Sequence, residues 1–117
     1  MGLFRRRTQW APPPDFAHVT SRAVADQLLA NGVLVPFLLL PEHLGGDARP
    51  ENVVPVPPGY DEARESFFRM AADGLGEFTY EAVPEYAGGS LVPTVIRLTA
   101  RADGELNAAL RVWGEEE

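Results

Sequence analysis

The chain has 117 residues, 45% apolar and 23% charged, which fits one globular domain with an ordinary hydrophobic core. It has no cysteine, which excludes disulfides, thiolate metal sites and cysteine nucleophiles and suits a reducing, cytoplasmic setting. Seventeen acidic residues against ten basic ones give a net charge of −7, an acidic balance that argues against a nucleic-acid-binding surface and permits a basic protein partner.

The first residues, Met1 to Arg7, carry three arginines but no apolar run behind them, so no secretory signal is expected. Arg6 stands where a myristoylation motif needs Ser or Thr. Residues 1–18 read as an extended arm, because Pro12, Pro13 and Pro14 favour polyproline II. A single α+β domain is expected over 19–114, followed by an acidic tail at 115–117.

Thr20 or Ser21 can cap a first helix, in which Val24, Ala25, Leu28 and Leu29 fall on one face. Asn31-Gly32 stops it. Residues 33–40 form the most apolar run, a buried strand marked by Pro36 and far too short to cross a membrane. A turn at 44–47 and a short strand at 52–56 follow. A second helix is expected over 60–72, with Ala63, Phe67, Met70 and Ala71 on its apolar face. Three alternating strands come last, and Asp103-Gly104 predicts a two-residue type I′ hairpin between the final two. The fold class is therefore an antiparallel β-sheet with two helices and a C-terminal three-stranded meander.

Chemistry-bearing residues are few. His18 and His43 are the only histidines, and neither stands in a metal-binding spacing. Glu42, His43 and Asp47 flank Gly45-Gly46 and can make a small polar site, yet no residue in the local sequence would orient His43 as a base. Gly-Gly-Ser-Leu at 88–91 is not a nucleophile elbow, and Gly45-Gly46 lacks the Lys-Ser/Thr of a phosphate loop. Trp10, in the proline-rich arm, is a candidate anchor for a protein partner; Trp113 reads as packing at the end of the meander.

Five stretches occur in a familiar order: Gly32-Val33-Leu34-Val35-Pro36, Leu44-Gly45-Gly46, Asn52-Val53-Val54-Pro55, residues 80–88 (Tyr-Glu-Ala-Val-Pro-Glu-Tyr-Ala-Gly) and Leu91-Val92-Pro93-Thr94. From Gly32 to Val112 the chain resembles the small bacterial DNA/RNA non-specific endonucleases of the ββα-metal (His-Me finger) class. That resemblance implies an antiparallel sheet and a helix carrying a metal site. The departures fall on the chemistry. Where the family has a histidine to activate water, this chain has Val33, which has no ionisable group. Near the start of the second helix, where the family holds its metal with an asparagine, the residues run Val56 to Glu62 without one. Asp61 or Glu62 can offer oxygen to a hard cation, but a metal alone supplies no base.

The expectation is therefore a pseudoenzyme: no catalytic residue, no metal and no cofactor, with a protein partner and without nucleic acid. Its contact residues are expected to be Trp10, Glu42, His43, Asp47, Asn52, Asp61 and Glu62. Two rival readings are an acidic, immunity-like inhibitor of a basic toxin or nuclease, and a divergent metal-dependent nuclease or hydrolase.

Overall fold

The computed structural model describes residues 15–114, an α+β arrangement of two helices and five strands in two antiparallel sheets. Trp10 and the three arginines of the expected arm, and residues 115–117, lie outside the described residues. No helix among the described residues is long and apolar enough to cross a membrane.

Helix α1 spans Arg22–Ala30. Ser21 caps it: its side chain accepts a bond from the Val24 amide at 3.2 Å. The chain leaves the helix at Gly32, whose φ of 77° few other residues adopt. The amides of Val33 and Leu34 then both donate to the Leu28 carbonyl, at 3.0 and 3.2 Å. Those bonds hold the start of the apolar run against the helix end. Strand β1 is consequently only Val35–Leu38, shorter than the run of 33–40 suggests.

Strand β2, Val53–Val56, pairs with β1 in a two-stranded sheet, Val35 opposite Val56 and Leu38 opposite Val53. Phe37, Val54 and Val56 are buried on its inner side. Pro36 and Pro55 face each other across the ladder. The adjoining bond from the Leu39 amide to the Asn52 carbonyl sets the alternation, so both prolines occupy positions whose amide would point away from the partner strand. Neither proline removes a ladder bond.

Helix α2 spans Tyr60–Leu75 and opens after Gly59, at φ 110°. Its buried residues are Arg64, Phe67, Phe68 and Ala71. This corrects the expected apolar face: Ala63 is exposed and Met70 is 57% exposed. The i, i+3, i+4, i+7 spacing selects Arg64 in their place, and a charged side chain joins the core.

Strands β3 (Thr79–Glu85), β4 (Val95–Arg101) and β5 (Glu105–Arg111) form the meander, with β4 in the middle. The expected two-residue hairpin at Asp103-Gly104 is not what closes it. Arg101 pairs with Glu105, which leaves a three-residue loop, and Gly104 is not among the positive-φ glycines that a type I′ turn requires. Burial decides this register: Ile96, Leu98 and Ala100 are buried and stand opposite Leu110, Ala108 and Leu106. A slip of one residue would turn the inner set of β5 to solvent.

The core also reaches both ends of the described chain. Phe16, which the sequence assigns to the arm, is buried, as are Val19, Val112 and Trp113. Trp113 does pack at the end of the meander, and its indole donates to the Val92 carbonyl at 2.8 Å. Buried Ser90 donates to the Phe16 carbonyl at 2.7 Å and accepts from the Val92 amide at 3.1 Å. Ser90→Ala strands the Val92 amide and leaves the Phe16 carbonyl with the Val19 amide alone, so it should cost about 1–3 kcal/mol in urea unfolding, while a surface change such as Ser66→Ala should leave the midpoint in place.

Candidate functional site

The loop between β1 and β2 is built around Asn52. Its carboxamide accepts from the Leu40 amide at 2.8 Å and donates to the carbonyls of Leu40 at 2.9 Å and Asp47 at 2.8 Å. A single side chain thus imitates a ladder partner and closes the loop. Gly46 lies under the same carbonyl: a Cβ there would come 1.7 Å from the Leu40 oxygen. Only hydrogen fits at that position. The exposed Asp47 carboxylate takes both the Arg49 Nε at 2.8 Å and Nη2 at 2.9 Å, and the bonds from Arg49 hold its pKa below the usual carboxylate range. Asn52 and Asp47, both expected as contact residues, are committed to holding this loop.

A shallow cleft of about 680 Å³ separates the hairpin from the start of α2. Pro36, Leu38, Pro41, Glu42, His43, Asp61 and Arg64 line it. The fold therefore brings together three expected residues, Glu42, His43 and Asp61, from two distant parts of the sequence. Glu62 is exposed and does not line the cleft, and Trp10 lies outside the described residues.

Arg64 dominates the floor. Its side chain is 6% exposed, and its guanidinium carbon sits 4.1 Å from the centre of the Phe37 ring. Nη1 donates to the Leu38 carbonyl and, at 3.4 Å, to that of Leu39, while Nη2 donates to Asp61 Oδ1 at 3.3 Å. Leu38 occupies an outward position in the ladder, so Arg64 satisfies a carbonyl that β2 cannot reach. Asp61 is 73% exposed, so its share of this pair is screened by water. Beside Arg64 the rings of Phe67, Phe68, Phe78 and Tyr80 cluster, with Tyr80 edge-on to Phe68 at 4.7 Å. The exposed imidazole of His43 meets Phe68 edge-on at 5.7 Å, a packing contact that fixes the ring without engaging a carboxylate.

Tyr80 carries the one buried side-chain polar atom that lacks a hydrogen-bond partner among the described residues. Burial raises its pKa above the ordinary phenol value, and the nearby positive charge of Arg64 offsets part of that rise. Neither Arg64 nor Tyr80 was singled out by sequence reasoning. The signal for Arg64 was present: it stands at helical spacing from Phe67, Phe68 and Ala71. Tyr80 gave none, because an alternating strand shows which face an aromatic takes and not what its hydroxyl meets.

Val33 sits at the exit from α1, 46% exposed, with a hydrocarbon side chain. Among the described residues no three of His, Cys, Asp and Glu lie close enough to share a metal ion. What the cleft offers is a carboxylate-edged rim over a buried, internally satisfied cation. No protein-family model matches the chain, and no curated protein and no solved structure matches it.

Arg64→Met keeps much of the packing but leaves the Leu38 and Leu39 carbonyls without a donor. It should cost about 2–4 kcal/mol in denaturant unfolding, whereas Asp61→Asn should change stability little. Tyr80→Phe removes the orphaned hydroxyl and should be neutral or stabilising by about 1 kcal/mol. The sign of its pH dependence follows from the raised pKa. The phenol is protonated in both states below about pH 10, and the folded form is penalised as the pH climbs from there through the raised folded value. Wild type should therefore lose stability across that alkaline window more steeply than Tyr80→Phe, as read from unfolding midpoints at successive pH values.

Proposed function

We propose that this chain is a non-hydrolytic protein-binding domain on a framework resembling the ββα-metal nucleases. The observation that carries this reading is the chemistry at residue 33. In the order of short stretches that carries the resemblance, Val33 stands where that class has its water-activating histidine, and valine cannot take a proton. The groups around the cleft between the hairpin and α2 support it. Asn52 and Arg64 hold backbone carbonyls, and His43 packs on Phe68. A general base needs a partner that orients it and a free position for the reacting atom. Among these groups, bonding capacity goes into structure.

The surface charge favours a protein, and a basic one, as the partner. Five of the seven described arginines are in ion pairs, namely Arg22, Arg49, Arg64, Arg97 and Arg101. Glu42, Glu62 and Glu65 are exposed along the cleft rim and α2, and no ion pair among the described residues takes them up. Polyphosphate would be repelled by such a surface, and a cationic partner would be attracted at a rate that falls with salt. This is the specific support for the inhibitor-like variant of the reading.

Purified protein incubated with plasmid DNA and with RNA, in Mg²⁺ and in Mn²⁺, should leave both intact. Robust cleavage that disappears in His43→Ala would overturn the proposal and restore the hydrolase reading.

A further inference from the structure

Among the described residues, four of the five strands have a ladder partner on one side only: β1 and β2 in the hairpin, β3 and β5 at the two sides of the meander. Three of those strands carry a proline. Pro36 and Pro55 stand at outward positions on β1 and β2, as shown above. On the meander, the Val112 amide donates to the Thr94 carbonyl at 2.7 Å, which fixes the alternation. Even-numbered residues of β4 bond β5, and odd-numbered ones bond β3. Pro84, opposite Ile96, is therefore at an outward position of β3 and presents no amide to a would-be partner.

Strand β5 has none of these guards. Its outward residues are Glu105, Asn107, Ala109 and Arg111, all exposed and none a proline. Among the described residues only one backbone group on this edge is taken, the Arg111 carbonyl, which accepts from the Tyr60 hydroxyl at 2.9 Å. A carbonyl has a second lone pair, so that bond does not block pairing.

We propose that this edge pairs with the β5 edge of a second copy, antiparallel and centred on Ala108, joining two meanders into one continuous sheet. The proposal is independent of the reading of the cleft. Four features select this occupant and this register. An antiparallel pair centred on Ala108 sets residue 105 opposite 111 and residue 107 opposite 109, so every outward residue meets another outward residue. It also sets Glu105 opposite the partner's Arg111 and Arg111 opposite the partner's Glu105, a complementary charge at each end. At the two-fold axis Ala108 meets its own copy in a closely spaced pair, where a small side chain fits. Leu106 and Leu110, half-buried in one chain, meet each other across the new ladder and lose their remaining exposure. Arg111, which is in no ion pair among the described residues, gains its counter-charge.

Charge reversal tests register and occupant together, with mass measured by sedimentation equilibrium over a concentration series. Wild type should show a monomer–dimer equilibrium. Glu105→Arg sets arginine against arginine at both ends, and Arg111→Glu sets glutamate against glutamate. Each alone should weaken dimerisation by on the order of tenfold or more. An equimolar mixture of the two variants should recover it, because every end pair is then complementary. Circular dichroism melts show whether each variant still folds, and the mixture's recovery needs folded chains of both. Amide exchange gives a second readout: protection at Asn107 and Ala109 should rise with protein concentration. Wild type that stays monomeric, a mixture that stays as weak as its components, or protection at these amides that ignores concentration (an edge covered by the chain itself) would each overturn the proposal.

Discussion

One buried cation ties the second helix to the first of the two sheets. Arg64 leaves α2 among phenylalanines and ends on the carbonyls of Leu38 and Leu39. Burying a guanidinium is expensive unless its donors are used. Here the backbone of β1 uses them, and the face of Phe37 covers what remains. The same helix reaches the meander through Phe67 and Phe68, which meet Tyr80 and Phe78. Hairpin and meander share no strand pairing; this helix and a common core, in which Phe37, Val54 and Val56 join Ile96, Leu98 and Ala100, hold them together.

Around that joint, polar groups are spent on architecture to an unusual degree for a surface cleft. Asn52 serves as a three-bond clasp, and Gly46 is held under the Leu40 carbonyl with no room for a side chain. The stretches that carry the nuclease resemblance at Leu44-Gly45-Gly46 and Asn52 thus have a physical role that needs no reaction. They shape a loop. What such a loop displays is a matter of rim residues, and those are carboxylates and one histidine.

Strand edges follow a consistent logic. Proline appears on β1, β2 and β3 only where a missing amide costs no ladder bond, and it is absent from β5. Edges that are not blocked are available for pairing. A single unguarded edge of seven residues, with opposite charges at its two ends, is a directional surface rather than a sticky one.

Much of the element order was legible from the sequence. A cap at Thr20 or Ser21, a stop at Asn31-Gly32, the alternation of 77–82, 94–101 and 106–113, and the apolar run 33–40 depend on local sterics and on period, which neighbouring residues carry by themselves; the structure sets the cap at Ser21 and the strands at 79–85, 95–101 and 105–111. The family resemblance was legible in the same way, as short words in order, together with the hydrocarbon at residue 33. Tertiary structure alone decided the rest. It chose Arg64 over Met70 for the core, where the carbonyls of Leu38 and Leu39, 26 and 25 residues away in the chain, take its donors. It replaced the two-residue hairpin at Asp103-Gly104 by a three-residue loop, because the burial of Ile96, Leu98 and Ala100 sets the register more strongly than a turn preference. It drew Phe16 inward, brought Asp61 beside Glu42 and His43, and left Tyr80 without a partner. Each of these outcomes is a contact between segments far apart in the chain, and local sequence has no term for the group it will meet.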